Sequence, residues 1–157
     1  MANLESGRFL TFMIRDEHYG VSISKVREIN QMMDITSVPK TPKFVEGIVN
    51  LRGKILPVVN LREKLGFEKI AYDRETCIVV IESAVGQVGI VVDAVREVID
   101  LKEGQIDVPP HMGDNSELKF LSAIGKLEDK VIILLDVDLA FSEEEFGSAM
   151  SIQKTAA

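Results

Sequence analysis

Short runs rich in Val and Ile, each of strand length and each bounded by turn residues, recur along the chain: Phe9 to Arg15, His18 to Ile23, Lys54 to Asn60, Thr76 to Glu82, Gln87 to Asp93 and Lys130 to Asp136. Branching at Cβ suits a pleated strand and restricts a side chain in a helix. Runs of this kind, with few long amphipathic stretches between them, predict a mainly β sandwich or barrel rather than a βαβ fold. Val88-Gly89-Ile90-Val91-Val92 and Val131-Ile132-Ile133-Leu134-Leu135 are apolar without alternation. A strand that is apolar on both faces is covered on both faces, which places these segments at the centre of the core.

The connections are read from turn chemistry. Asp16-Glu17, Val85-Gly86 and Glu128-Asp129 lie between successive runs and predict hairpins, hence antiparallel neighbours. Pro57 cannot donate to a ladder, so its strand is expected to have an edge or a bulge there. Three short helices are predicted. In Thr41 to Gly47, Thr41 caps, Pro42 takes the first helical position and Gly47 closes the turn; in Asn60 to Gly66, Asn60 caps and Gly66 terminates; the third runs from Ser24 through Ile29. The longest helix is expected after Asp136, carrying Leu139, Ala140 and Phe146. Asp107 to Leu118, with Pro109-Pro110 and Gly113-Asp114-Asn115-Ser116, reads as a mobile loop or as the join between two lobes. Residues 1–7 and 148–157 read as a disordered start and a flexible tail around a domain at 8–147.

Composition narrows the function classes. With 157 residues, 46% of them hydrophobic and 27% charged, the chain has the apolar surface for one packed domain or two small lobes sharing a core. The net charge is -7 and no segment concentrates Lys and Arg, so nucleic acid is not an expected partner. There is no long charge-free apolar span, and Met1 to Gly7 lacks a basic region and apolar stretch, so a soluble cytoplasmic protein without direct membrane insertion is expected.

Chemistry-bearing patterns are sparse. Cys77, the lone cysteine, has no internal disulfide partner and sits in an apolar run as a small core residue. With His18 and His111 it supplies no metal-ligand spacing, and both histidines read as surface residues. There is no phosphate loop and no nucleophile elbow, and Gly86-Gln87-Val88-Gly89 does not continue into a dinucleotide fingerprint. Asp136, Asp138, Glu143, Glu144 and Glu145 read as a solvated helix face. No catalytic residue, metal or cofactor is expected.

One constellation is more specific: Phe44-Val45-Glu46-Gly47-Ile48-Val49-Asn50-Leu51-Arg52-Gly53-Lys54-Ile55-Leu56-Pro57-Val58-Val59-Asn60-Leu61-Arg62. It resembles the signature of CheW-like domains, with an Asn-Leu-Arg-Gly turn, a proline-bearing strand and a following Leu-Arg helix. Phe9 to Ile23 is similar to the family's opening hairpin and Gln87 to Val98 to its Gly-Ile-Val-Val-Asp segment, so the resemblance spans residues 8–146. It implies two interlocked five-stranded β-barrels of SH3-like type with a few short helices and a groove between the lobes.

In function, the resemblance implies a scaffold without catalysis, monomeric when alone. Such a scaffold binds the regulatory domain of a CheA-type histidine kinase and the helical hairpin tip of methyl-accepting chemotaxis receptors, and is recruited to receptor arrays at the membrane. Arg52 matches the arginine implicated in receptor attachment, with Gly53 beside it. Val26, Glu28, Gly47, Cys77, Gly89 and Val95 match further receptor-linked positions; the apolar ones and the glycines also fit plain packing roles. Coupling in pilus motility or another chemosensory pathway is the alternative within this fold, and a purine-binding protein the alternative outside it. A phosphoacceptor domain is not expected beside the CheW-like span in these 157 residues.

Overall fold

The structure is a computed structural model that describes residues 7–108 and 119–142. Its strands are β1 (Gly7–Ile14), β2 (Glu17–Ser22), β3 (Val26–Gln31), β4 (Val45–Leu51), β5 (Lys54–Asn60), β6 (Cys77–Ser83), β7 (Gly86–Val92), β8 (Ala94–Leu101), β9 (Ile106–Asp107), β10 (Leu121–Leu127) and β11 (Lys130–Leu135). Two short helices, α1 (Leu61–Lys64) and α2 (Val137–Ala140), follow β5 and β11. One sheet has six strands in the order β8-β1-β2-β11-β10-β9, the other five in the order β3-β6-β7-β5-β4. The lobes interlock because the chain crosses from the first sheet to the second after β2 and returns after β7.

Each sheet bends back on itself. In the five-stranded sheet the segment after β3 reaches the far edge, where Thr36 bridges Ile48 of β4. In the six-stranded sheet the edges β8 and β9 are joined by a single 3-10 turn at Glu103–Gln105. Two interiors result, with a third core between the lobes. Val49, Leu56, Val58, Ile78, Val80 and Val91 fill the five-stranded lobe. Phe9, Ile99, Leu101, Ala123, Ile132 and Leu134 fill the other. The shared core takes alternate residues of the same strands, Leu10, Phe12, Val59, Val79, Ile81, Ile90, Val92 and Leu135 among them. This explains the runs without alternation: successive side chains enter different cores. In β11 the covered residues are Ile132, Leu134 and Leu135, whereas Ile133 is half-buried and Val131 exposed.

The three hairpins form, with turns at Arg15-Asp16 and Ala84-Val85, each one residue before the predicted pair, and at Glu128-Asp129 as predicted. Not every neighbour is antiparallel: β11 pairs with β2 and β5 with β7 in parallel, the two contacts that close the interlocked topology. Pro57 lies on an inner strand, at the point where β5 is paired with β4 but not yet with β7, whose ladder begins at Val58. Pro57 itself is at neither an edge nor a bulge, being paired in register with Ile48; the irregularity of this strand pair is a bulge in β4 between Val45 and Gly47.

Two predicted helices are absent. Ser24 to Ile29 forms only a 3-10 turn at Ile23–Lys25 before entering β3, whose register with β6 runs from Val26↔Ile81 to Gln31↔Cys77. Thr41 to Gly47 makes a single turn, Val45 N donating to Pro42 O at 3.0 Å, and joins β4. The Thr41 hydroxyl donates to Val38 O at 2.9 Å and caps nothing. In both places the paired backbone of a neighbouring strand outweighs a local helical preference. Asn60 to Gly66 forms as predicted, with Asn60 Oδ1 accepting from Glu63 N at 3.2 Å. After Asp136 the described helix is the single turn α2; His111, Phe146, Glu143 to Glu145 and the terminal segments lie outside the described residues.

Candidate functional site

The Arg52-Gly53 turn joins β4 to β5, with φ of 54° and 86° at its two central residues. Left-handed backbone at both positions is the type I′ geometry that matches strand twist, and it accounts for the glycine. Asn50 Oδ1 accepts from Gly53 N at 2.8 Å and fixes the turn. The Arg52 side chain is 70% exposed, and its Nη2 donates to Glu28 Oε2 on β3 at 2.5 Å. Asn30 Nδ2 donates to Glu28 Oε1 at 3.1 Å. Those hydrogen bonds, Arg52's first, hold the Glu28 carboxyl below the usual glutamate range. An exposed pair adds little stability, so its consequence is to orient Arg52 against β3.

β3 and β8 are edge strands, and their registers show which face each residue presents. Val26 and Ile29 lie opposite Ile81 and Val79 of the shared core, so they face the mouth between the lobes, while Glu28 and Asn30 face the other way, toward Arg52. On β8, Val95 and Val98 lie opposite Phe12 and Leu10, also of the shared core. Ile29 is 45% and Val98 49% exposed. Cys77, half-buried, pairs with Gln31 of β3 and packs with Val95 against the shared core, and its thiol donates to Glu75 O at 3.1 Å. Val26, Cys77 and Val95 pack against the shared core, and Ile29 and Val98, exposed, lie on the same faces of β3 and β8, so the five make an apolar strip beside that core.

The predicted residues separate into three places. Arg52, Gly53 and Glu28 form the polar cluster, and Val26, Cys77 and Val95 belong to the strip. Gly47 and Gly89 lie within the five-stranded lobe. A Cβ on Gly89 would sit 2.8 Å from Ile78 Cγ2, and one on Gly47 2.0 Å from Thr36 O, so both positions admit close neighbours. Sequence reasoning missed Ile29 and Val98. Their signal was present in outline: apolar residues set into the charged stretches Arg27-Glu28-Ile29-Asn30 and Arg96-Glu97-Val98-Ile99-Asp100.

Two described groups that could do chemistry, Cys77 and Glu46, are otherwise engaged. Burial, foremost, and the Glu75 carboxylate push the Cys77 thiol up against the opposing Val95 hydrogen bond, the reverse of a reactive cysteine's setting. The Glu46 carboxylate receives Lys69 Nζ at 2.7 Å, Asn60 Nδ2 at 3.1 Å and the Tyr72 hydroxyl. Among the described residues no three His, Cys, Asp or Glu side chains gather as a metal would require. None of the described helices is long and apolar enough to cross a membrane.

Comparison with known proteins decides what this geometry belongs to: the CheW-like domain family matches residues 8–145. The chain belongs to the CheW-like family. It is 35% identical over 147 residues to the chemotaxis protein CheW of Klebsiella aerogenes, covering 94% of this chain and 89% of that protein. To the chemotaxis protein CheW of Helicobacter pylori it is 34% identical over 137 residues, covering 87% and 82%. The crystal structure of the scaffolding protein TtCheW from Thermoanaerobacter tengcongensis matches with a TM-score of 0.80 at 35% identity, covering 89% of this chain and 95% of that one. The CheW-like fold reached from sequence is therefore the observed one.

Proposed function

We propose that this CheW-like chain is a non-catalytic chemotaxis scaffold that couples the regulatory domain of a CheA-type histidine kinase to the cytoplasmic tip of methyl-accepting chemoreceptors, working in the cytoplasm and recruited to receptor arrays. The observation that carries the reading is the apolar strip of Val26, Ile29, Cys77, Val95 and Val98 beside the shared core. An amphipathic helix from a hairpin buries its apolar stripe in such a groove, and specificity comes from polar groups at the rim. Arg52, held by Glu28 on the opposite face of β3 from Ile29, supplies an exposed cation across that edge strand from the strip. The names of the relatives, chemotaxis protein CheW and a scaffolding protein, support the same reading.

The test is a titration of isotopically labelled protein with a receptor-tip hairpin fragment and, separately, with a kinase regulatory domain. The reading expects the hairpin to shift the resonances of Ile29, Val95 and Val98, and the kinase domain to perturb a different set. Shifts confined to lobe surfaces remote from the strip would contradict it.

A further inference from the structure

Asp93 is the single residue between β7 of the five-stranded lobe and β8 of the six-stranded lobe, so it occupies one of the two points where the chain passes between them. Its carboxylate is the meeting point of both. From the five-stranded lobe, α1 sends Arg62, whose Nε donates to Asp93 Oδ1 at 2.9 Å and Oδ2 at 3.1 Å, with Nη2 at 2.9 Å from Oδ2. From the six-stranded lobe, the β1–β2 turn sends the backbone N–H of Arg15, which donates to Asp93 Oδ2 at 2.7 Å. The Asp93 N–H donates to Met13 O at 3.1 Å. The ion pair is largely covered, its side chains 15% and 21% exposed.

Further contacts reinforce it. Arg62 Nη1 donates to Glu68 O at 3.3 Å, and Phe67 N donates to Arg62 O at 2.8 Å, tying the segment after α1 to the same arginine. The Arg15 guanidinium lies 4.4 Å from the centroid of the Phe67 ring, a second contact from one lobe to the other. A planar guanidinium held at several points by one carboxylate has little rotational freedom, which distinguishes it from a lysine at the same place.

We propose that Arg62 and Asp93 are positioning residues that lock the angle between the lobes, and through it set the spacing of β3 and β8 across the inter-lobe mouth. The crossover residue cannot turn without breaking contacts on both sides. The apolar strip then has a fixed width although no residue of the lock belongs to it. The lock concerns the lobes themselves and holds whatever enters the groove.

Spin labels placed at Lys54 and Asp129, exposed residues in the two lobes, in a Cys77→Ser background, report the inter-lobe distance by double electron–electron resonance. The parent is expected to give one narrow distance. The double variant Arg62→Met, Asp93→Asn removes both charges, leaves none stranded and retains an acceptor for Arg15 N, so it is expected to stay folded. Its distance distribution is expected to broaden at least twofold or shift while far-ultraviolet circular dichroism is unchanged. If that variant does not fold, Arg62→Lys, which retains the charge and loses the planar fork, is expected to broaden the distribution in the same sense. A broad distribution in the parent, or a variant distribution that matches a narrow parent whatever its melting temperature, overturns the proposal. A merely structural pair would lower the melting temperature and leave the distance where it was.

Discussion

Replacing Gly47 by alanine tests whether that glycine serves the fold or a partner. Its φ of +146° lies in a region that L side chains rarely adopt, and an added Cβ would stand 2.0 Å from Thr36 O and 2.7 Å from Thr36 C. That carbonyl cannot simply retreat, because it accepts from Ile48 N at 2.8 Å while Thr36 N donates to Ile48 O at 2.9 Å. Backbone strain at such a position is on the order of 1–3 kcal/mol. Losing the bridge forfeits two backbone hydrogen bonds of about 1 kcal/mol each. The sum, about 3–5 kcal/mol, is a large part of a domain's typical stability of about 5–15 kcal/mol. The chain has no tryptophan, so unfolding in urea is followed by far-ultraviolet circular dichroism. With a slope of about 2 kcal/mol per molar, the midpoint is expected to fall by about 2 M. Gly53→Asn is the control: nothing lies within 4 Å of a Cβ there, and asparagine tolerates the left-handed conformation, so its midpoint is expected near wild type. A Gly47→Ala midpoint that implies less than about 1 kcal/mol of loss would refute the steric reasoning and return Gly47 to the partner-binding set.

Other outcomes follow from named contacts. Burial pushes the Glu46 carboxyl up, but the hydrogen bonds from Lys69, Tyr72 and Asn60, together with the Lys69 charge, outweigh it and hold the group below its ordinary 4.5. A lowered folded pKa gives stability that is present above 4.5 and lost as pH falls through the folded value, so Glu46→Gln is expected to be less stable at pH 7 and to flatten the acid limb of urea midpoints measured against pH. Leu134→Asp places an unpaired charge at a fully buried site and is expected to abolish folding, whereas Val131→Asp, at a residue 57% exposed on the same strand, is expected to leave the dichroism spectrum intact. Truncating Phe12, fully buried in the shared core, to alanine is expected to cost about 3–5 kcal/mol in the same urea assay.

Much of this architecture was legible in the Val- and Ile-rich runs, because a strand covered on both faces must be apolar at successive positions. The edge strands were not legible in that way. β3 reads Val-Arg-Glu-Ile-Asn-Gln and β8 Ala-Val-Arg-Glu-Val-Ile-Asp-Leu, and each carries charge because one side of an edge faces water. β4 was obscured by a Thr-Pro start and a glycine that together imitate a capped helix; the glycine is there for the Thr36 carbonyl. The Arg52 turn was legible from the Asn-Leu-Arg-Gly signature, but its ion pair with Glu28 spans 24 positions and depends on how β3 and β4 are folded round. The Arg62–Asp93 contact, 31 positions apart, and the donors around Glu46 were hidden for the same reason: sheet closure, not local pattern, brings them together.

The coupling role is tested most directly by pulling tagged protein through its native cytoplasm and solubilised membranes, with Arg52→Glu alongside and mass spectrometry of what is retained. The wild type is expected to retain a CheA-type kinase together with chemoreceptors, and Arg52→Glu to retain the kinase while losing the receptors at a nearly unchanged melting temperature. Recovery of neither partner by the wild type, or loss of both from a folded Arg52→Glu protein, would contradict a scaffold that holds kinase and receptor on separate surfaces.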